Sequence, residues 1–247
     1  MGETNDTGSR DLVLRYTFEF TDGREKKFEI ALDPDSLSLR AAPPADLPDW
    51  TRLESDPCDR CPLLGKAERC PVAVNLAGIV NEFRDIVSYE SATVTVDTPQ
   101  RSYRQTNAVQ KGLSSIIGIY MVTSDCPVLD ELRPMTRFHL PFATTEETLF
   151  RVVSSYLLRQ YFVMNSGGTP DWTLEGLISI YDRISTANIG ISRRIANASK
   201  KDANINAIII LHSYGESIPF YVRSGLKELR YLFERYMPDT PPEGGSH

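Results

Sequence analysis

The chain has 247 residues, 41% of them hydrophobic and 24% charged, an ordinary globular balance that excludes a wholly disordered protein. Its 27 basic residues against 33 acidic ones leave a formal charge of −6, which works against non-specific attraction to nucleic acid or anionic membranes. No apolar run reaches the ~20 residues of a membrane span, and the polar start Met1 to Arg10 lacks the apolar stretch of a secretory signal, so the expected location is the cytoplasm.

Residues 1–10 are small and polar and residues 238–247 are rich in Pro and Gly, so both are expected as disordered tails. Between them the pattern predicts an α+β metal-binding domain over 11–142 and a helical, oligomerising region over 143–237. The expected fold class is thus α+β: a small antiparallel sheet with a four-cysteine metal-binding loop, then a helical part containing a long coiled-coil-like helix.

From Asp11 to Leu32 apolar and polar residues alternate on either side of Thr21-Asp22-Gly23, whose Asp-Gly pair suits a tight turn, which predicts a β-hairpin. One face carries Leu12, Leu14, Tyr16, Phe18 and Phe20 opposite Phe28, Ile30 and Leu32. The proline-rich stretch Ala41 to Trp50 then interrupts regular structure. Val74, Ile79, Val80 and Phe83 stand at helical spacing after Pro71, which suits a first helical turn. The β-branched run 91–97 and its return over 101–105 predict a second strand pair, and 108–123 carries an apolar stripe of helical period.

Beyond Pro141 the pattern is helical throughout, with Thr145 and Glu147 ahead of a first helix that runs to Met164. Leu177, Ile184, Ile191, Ala198 and Ile205 recur every seven residues, with Ile180, Ala187 and Arg194 in the second seam, which predicts one long helix with coiled-coil-like packing. That seam is the basis for expecting a homo-oligomer or a protein partner at the C-terminal helices. A final helix is expected over roughly 219–236.

All four cysteines fall into one pattern: Cys58-x-x-Cys61, then Cys70, then the distant Cys126. A Cys-x-x-Cys turn lets two thiolates reach one ion, and four thiolates complete a closed tetrahedral zinc site, so zinc is the expected cofactor. Pro62, Pro71 and Pro127 each follow a cysteine, a feature shared with cluster-binding cysteines, so an iron–sulfur cluster is the alternative. Four separately buried thiols are the third possibility.

The turn from Asp125 to Pro141 concentrates Arg133, Arg137 and His139 among prolines, a rigid donor-rich loop suited to an anion. The plainer alternative pairs the arginines with Asp130 and Glu131 and treats His139 as a packing residue. Arg193, Arg194, Lys200 and Lys201 form a basic run without interleaved aromatics, which reads as a solvated helix face rather than a nucleic-acid surface. No phosphate-binding loop, dinucleotide glycine pattern, His-Glu-x-x-His or Gly-x-Ser-x-Gly is present, so no residue is assigned to catalysis.

Cys58-x-x-Cys61-Pro62, Cys70-Pro71-Val72-Ala73-Val74-Asn75, Asp125-Cys126-Pro127, Leu132-Arg133-Pro134-Met135 and Arg137-Phe138-His139-Leu140-Pro141-Phe142 together resemble an uncharacterised family of bacterial proteins. The resemblance implies a bacterial cytoplasmic setting and one unit formed by the cysteines and the Arg-His loop; it implies no activity. The expected function is a metal-stabilised interaction or regulatory module. The alternative is an iron–sulfur redox sensor, or an enzyme whose Arg-His loop binds an anion.

Overall fold

The computed structural model describes residues 11–40 and 46–237; the expected tails at 1–10 and 238–247 and part of the proline-rich stretch lie outside the described residues. The alternation in the first strand, β1 (Leu12–Phe20), buries the five side chains Leu12, Leu14, Tyr16, Phe18 and Phe20, and β2 (Glu25–Leu32) pairs with it antiparallel, Tyr16 opposite Phe28. Gly23 takes φ +88° in the turn, a conformation that costs glycine little.

The second hairpin, β3 (Ser91–Asp97) and β4 (Ser102–Ala108), joins the first through antiparallel β1–β3 pairing, giving a four-stranded sheet in the order β2-β1-β3-β4. Ala92, Val94 and Val96 extend the buried face that β1 began. Two helices cover it: α1 (Pro71–Glu82) and α2 (Val109–Val122), which follows β4 directly. The approach of α2 is close. A Cβ on Gly112 would lie 2.7 Å from Val94 Cγ2 and 3.0 Å from Phe18 Cε1, so only glycine lets the helix lie this near the sheet. At the end of α1, Phe83 packs edge-on to Phe18 with centroids 5.1 Å apart.

A 3-10 segment (Asp130–Phe138) leads to α3 (Thr145–Asn165). Thr144 caps α3 reciprocally with Glu147: its hydroxyl accepts from the Glu147 amide at 3.2 Å while the Glu147 carboxylate accepts from the Thr144 amide at 2.8 Å. Then come α4 (Glu175–Ala198), α5 (Ala203–Arg223) and the short α6 (Lys227–Arg230). Asp171 braces the start of α4 by accepting from the Gly176 amide and the Tyr156 hydroxyl, both at 2.8 Å.

Two expectations for the helical part need correction. The periodic stretch through Ile205 is two helices, because the chain turns at 199–202: the Lys200 and Lys201 amides donate to Arg84 O, and Asp202 accepts from the Ser88 amide and hydroxyl. These partners lie more than a hundred residues upstream, so a local period carries no trace of them. The coiled-coil seam is accordingly spent inside the chain, with Leu177, Ile184 and Ile191 at most 3% exposed. The expected final helix over 219–236 is also replaced: Pro219 lies inside α5, and Gly225 at φ +78° separates α5 from α6.

The buried side chains on both sides of residue 142 belong to one cluster running from β1 to α6. The change in composition at that point marks the end of the sheet, and the core continues across it.

Candidate metal centre

The cysteine loop is closed at its base and docked on a helix. Leu53 N donates to Glu68 O and Cys70 N to Thr51 O, both at 2.8 Å, which ties the two ends of the loop together. At its tip Cys61 N donates to Cys58 O at 3.1 Å, with Arg60 at φ +59°, the tight turn that the Cys-x-x-Cys spacing predicts. Cys58 rests directly on α4: its thiol donates to Ala187 O at 3.7 Å, and a Cβ on Gly190 would meet Cys58 Sγ at 2.5 Å and Cα at 2.9 Å.

The four thiols share one electrostatic neighbourhood. Burial, followed by the like-charge effect of Cys70, Cys61 and Cys126, pushes the Cys58 thiol up to about 12. Burial also raises Cys70 and Cys126, and each of these feels another cysteine of the set. Cys126, separated from Cys70 by the whole of α1, β3, β4 and α2, is thus within electrostatic reach of Cys58 and Cys70. Among the described residues, however, no three His, Cys, Asp or Glu side chains stand in an arrangement that could hold a metal ion.

Two of the cysteines repeat one local design. Cys70-Pro71-Val72-Ala73 opens α1 and Cys126-Pro127-Val128-Leu129 opens the turn after α2. Proline presets φ for a helical first turn, and the amides at the next two positions (Ala73 and Val72, Leu129 and Val128) act on the sulfur of the preceding cysteine, favouring its thiolate against the burial penalty.

Arg194 supplies the local positive charge. It is 1% exposed, and its guanidinium donates to the carbonyls of Trp50, Arg52 and Leu53, the last at 2.7 Å, gripping the segment that begins the cysteine loop. It has no carboxylate within ion-pair distance among the described residues, its Nε is buried without a hydrogen-bond partner, and its charge favours the thiolates of Cys58 and Cys70. A buried cation needs a counterion. Thiolates at Cys58 and Cys70 would be groups of opposite charge within its reach. Gly190 and Arg194 stand four residues apart, on one face of α4. The sequence signal for them was the arginine interrupting an apolar seam; nothing local singles out the glycine.

The Arg-His loop does not form one pocket. Arg133 pairs with Asp125 at 2.7 Å and Asp130 at 2.6 Å and donates to Ser38 Oγ at 2.9 Å, so it braces the turn that carries Cys126. Arg137 donates to Pro34 O at 3.4 Å from an exposed position. His139 points the other way, into the body, where Tyr16 OH lies 2.5 Å and Ser115 Oγ 3.2 Å from its Nε2.

A serine beside a histidine invites a nucleophilic reading, and the electrostatics oppose it. Burial and then the Arg151 charge lower His139 to about 3, so the imidazolium that a general base must form is penalised. On the helical side, Ser185 bonds Glu216 directly and lies 3.3 Å from His212 Nδ1; the serine, not the histidine, occupies the middle position, so the order nucleophile, base, orienting acid is absent. The basic run is largely consumed within the chain: Arg194 faces inward, Arg193 pairs with Asp59 at 3.8 Å and Lys200 with Asp85 at 3.5 Å. No helix among the described residues is long and apolar enough to cross a membrane.

Residues 14–234 match the family model of the domain of unknown function DUF6901, so the chain belongs to that family over nearly its whole described length. No curated protein and no solved structure matches it.

Proposed function

We propose that this DUF6901 domain is a binding module whose fold is completed by one metal ion, zinc, held by the thiolates of Cys58, Cys61, Cys70 and Cys126. The observation that carries the reading is Arg194, a buried guanidinium whose charge acts on two of the thiols, with no carboxylate partner among the described residues and an orphaned Nε. Four thiolates on a divalent cation leave a net negative centre, and a neighbouring guanidinium offsets it and donates to sulfur. Ligation deprotonates the thiols and turns them toward a common point, which couples metal binding to folding. The centre ties three separate parts of the chain: the 58–70 loop, the turn after α2, and α4.

A closed tetrathiolate site leaves no coordination position for substrate, and His139 is held neutral, so binding rather than catalysis is the better-supported role. Contact with a protein partner or a second copy falls, in this reading, to exposed apolar side chains of α3 such as Leu158 and Phe162, because Ile184 and Ile191 are buried. The module acts in the cytoplasm, where thiols stay reduced and available to the metal.

Elemental analysis of protein purified anaerobically, without added metal, tests the proposal. It predicts a colourless protein with one zinc per chain, lost in Cys70→Ser. A brown protein containing iron and sulfide would replace zinc with a cluster on the same ligands. A folded, metal-free chain with four freely titrating thiols would overturn the reading.

A further inference from the structure

A cavity of about 880 Å³ opens between α2, the 130–138 segment, α3, α4 and α5, within the size range of small-molecule sites. Its wall is mainly apolar, with contributions such as Ile119, Met121, Leu132 and Ile184, and among the described residues no aspartate or glutamate lines it. In a chain of net charge −6, a wall without acids that carries Arg151 and Lys111 is locally positive.

Arg151 is only half engaged. Its Nη2 donates to Met135 O at 3.1 Å and Phe138 O at 3.0 Å, which fixes the guanidinium plane, while its Nε and Nη1 make no hydrogen bond and it forms no ion pair with a described residue. The acid that acts on it, Glu147, already holds the Thr144 amide. With Nη2 spent on two carbonyls, the free Nε–H and Nη1–H point in different directions, so each offers a single charged donor to a carboxylate oxygen. An independent observation stands beside it: Asn188 on α4 lines the same cavity, and its amide makes no hydrogen bond with a described residue. Opposite lie Ser115 and the neutral His139, further polar points on an apolar wall.

We infer that this cavity binds a small organic monocarboxylate with an apolar body, the Arg151 guanidinium pairing with the carboxylate through a free N–H and Asn188 bonding a polar group farther along the molecule. The site is separate from the thiols and stands whether or not a metal is bound there.

Calorimetric titration of the full chain with octanoate, with 1-octanol and octylamine as neutral and cationic counterparts of the same length, tests the inference. Octanoate is expected to bind saturably with one site per chain, the other two at least tenfold more weakly. Arg151→Gln should weaken octanoate at least tenfold and Arg151→Lys less. Because Arg151→Gln also removes two hydrogen bonds, a second variant keeps the charge and fills the space: Gly118→Val, whose Cβ meets only Leu211 Cδ2 at 3.5 Å, should block binding while circular dichroism stays that of the parent. No saturable octanoate binding, equal binding of octylamine, or octanoate affinity unchanged in folded Gly118→Val or Arg151→Gln would each overturn it.

Discussion

Gly190 on α4 and Cys58 on the cysteine loop are in contact so close that glycine is required: a Cβ at 190 would stand 2.5 Å from the Cys58 sulfur. The contact involves the sulfur, the Cα and the Cβ of Cys58, so the loop cannot yield by rotating one flexible side chain. Gly190→Ala should therefore displace the first ligand, costing about 1–3 kcal/mol as overpacking does and lowering zinc retention against a chelator. Denaturant midpoints with and without chelator check this; a variant as stable and as zinc-retentive as the parent would break the link between α4 and the loop.

Arg194 makes three carbonyl bonds from a position 1% exposed. Arg194→Met keeps the apolar stem and strands those carbonyls, so a loss of about 2–5 kcal/mol in unfolding free energy is expected. Arg194→Lys should recover little, since one ammonium cannot span three carbonyls in the guanidinium's fixed plane. Urea melts of both variants read the effect, and full recovery by lysine would reduce the role of Arg194 to charge alone.

His139 sets a pH dependence. Its folded-state value is lowered to about 3 by burial and Arg151, while an unfolded histidine titrates near 6.5. Between those values the unfolded chain binds the extra proton, so stability from this group is present above about pH 6.5 and lost as pH falls toward 3. The full span is on the order of a few kcal/mol. His139→Phe should flatten the upper part of that decline, from about pH 6.5 to 5, above the range where carboxylates titrate. An unchanged slope there would show that burial does not hold this imidazole neutral.

Ile184 and Ile191 are 3% and 1% exposed within a single chain. Ile184→Ala should cost about 2–5 kcal/mol as a core truncation and leave the mass by light scattering unchanged. Dissociation of an oligomer without loss of chain stability would return the seam to an intermolecular role.

The sheet was legible because strict alternation in 12–20 and 91–97, with an Asp-Gly turn between the first pair, is local information. The Thr144–Glu147 cap was nearly so, displaced by one residue from Thr145. The α4–α5 break was not: Leu177 to Ile205 keeps its seven-residue period through the turn, and the contacts that bend the chain come from Arg84 and Ser88. The cysteine spacing singled out Cys58, Cys61 and Cys70, and Cys126 joined them as the one cysteine left; the structure adds an electrostatic effect of Cys126 on Cys58 and Cys70. Gly190, Asn188 and Arg151 were invisible as site residues because a glycine, an amide and an arginine inside amphipathic helices are ordinary until their neighbours are known. Arg133 and His139, adjacent in the motif, part company because one faces Asp125 and Asp130 and the other faces Tyr16.

The central claim is that the four cysteines act together on one metal, and the most direct measurement is metal content per folded chain, by elemental analysis, in the parent and in single serine variants of all four. The account predicts one zinc in the parent and loss of retention in each variant, with Cys126→Ser failing as fully as Cys58→Ser although it lies far along the chain. Retention of metal in Cys126→Ser, or a parent that is folded and metal-free, would contradict it.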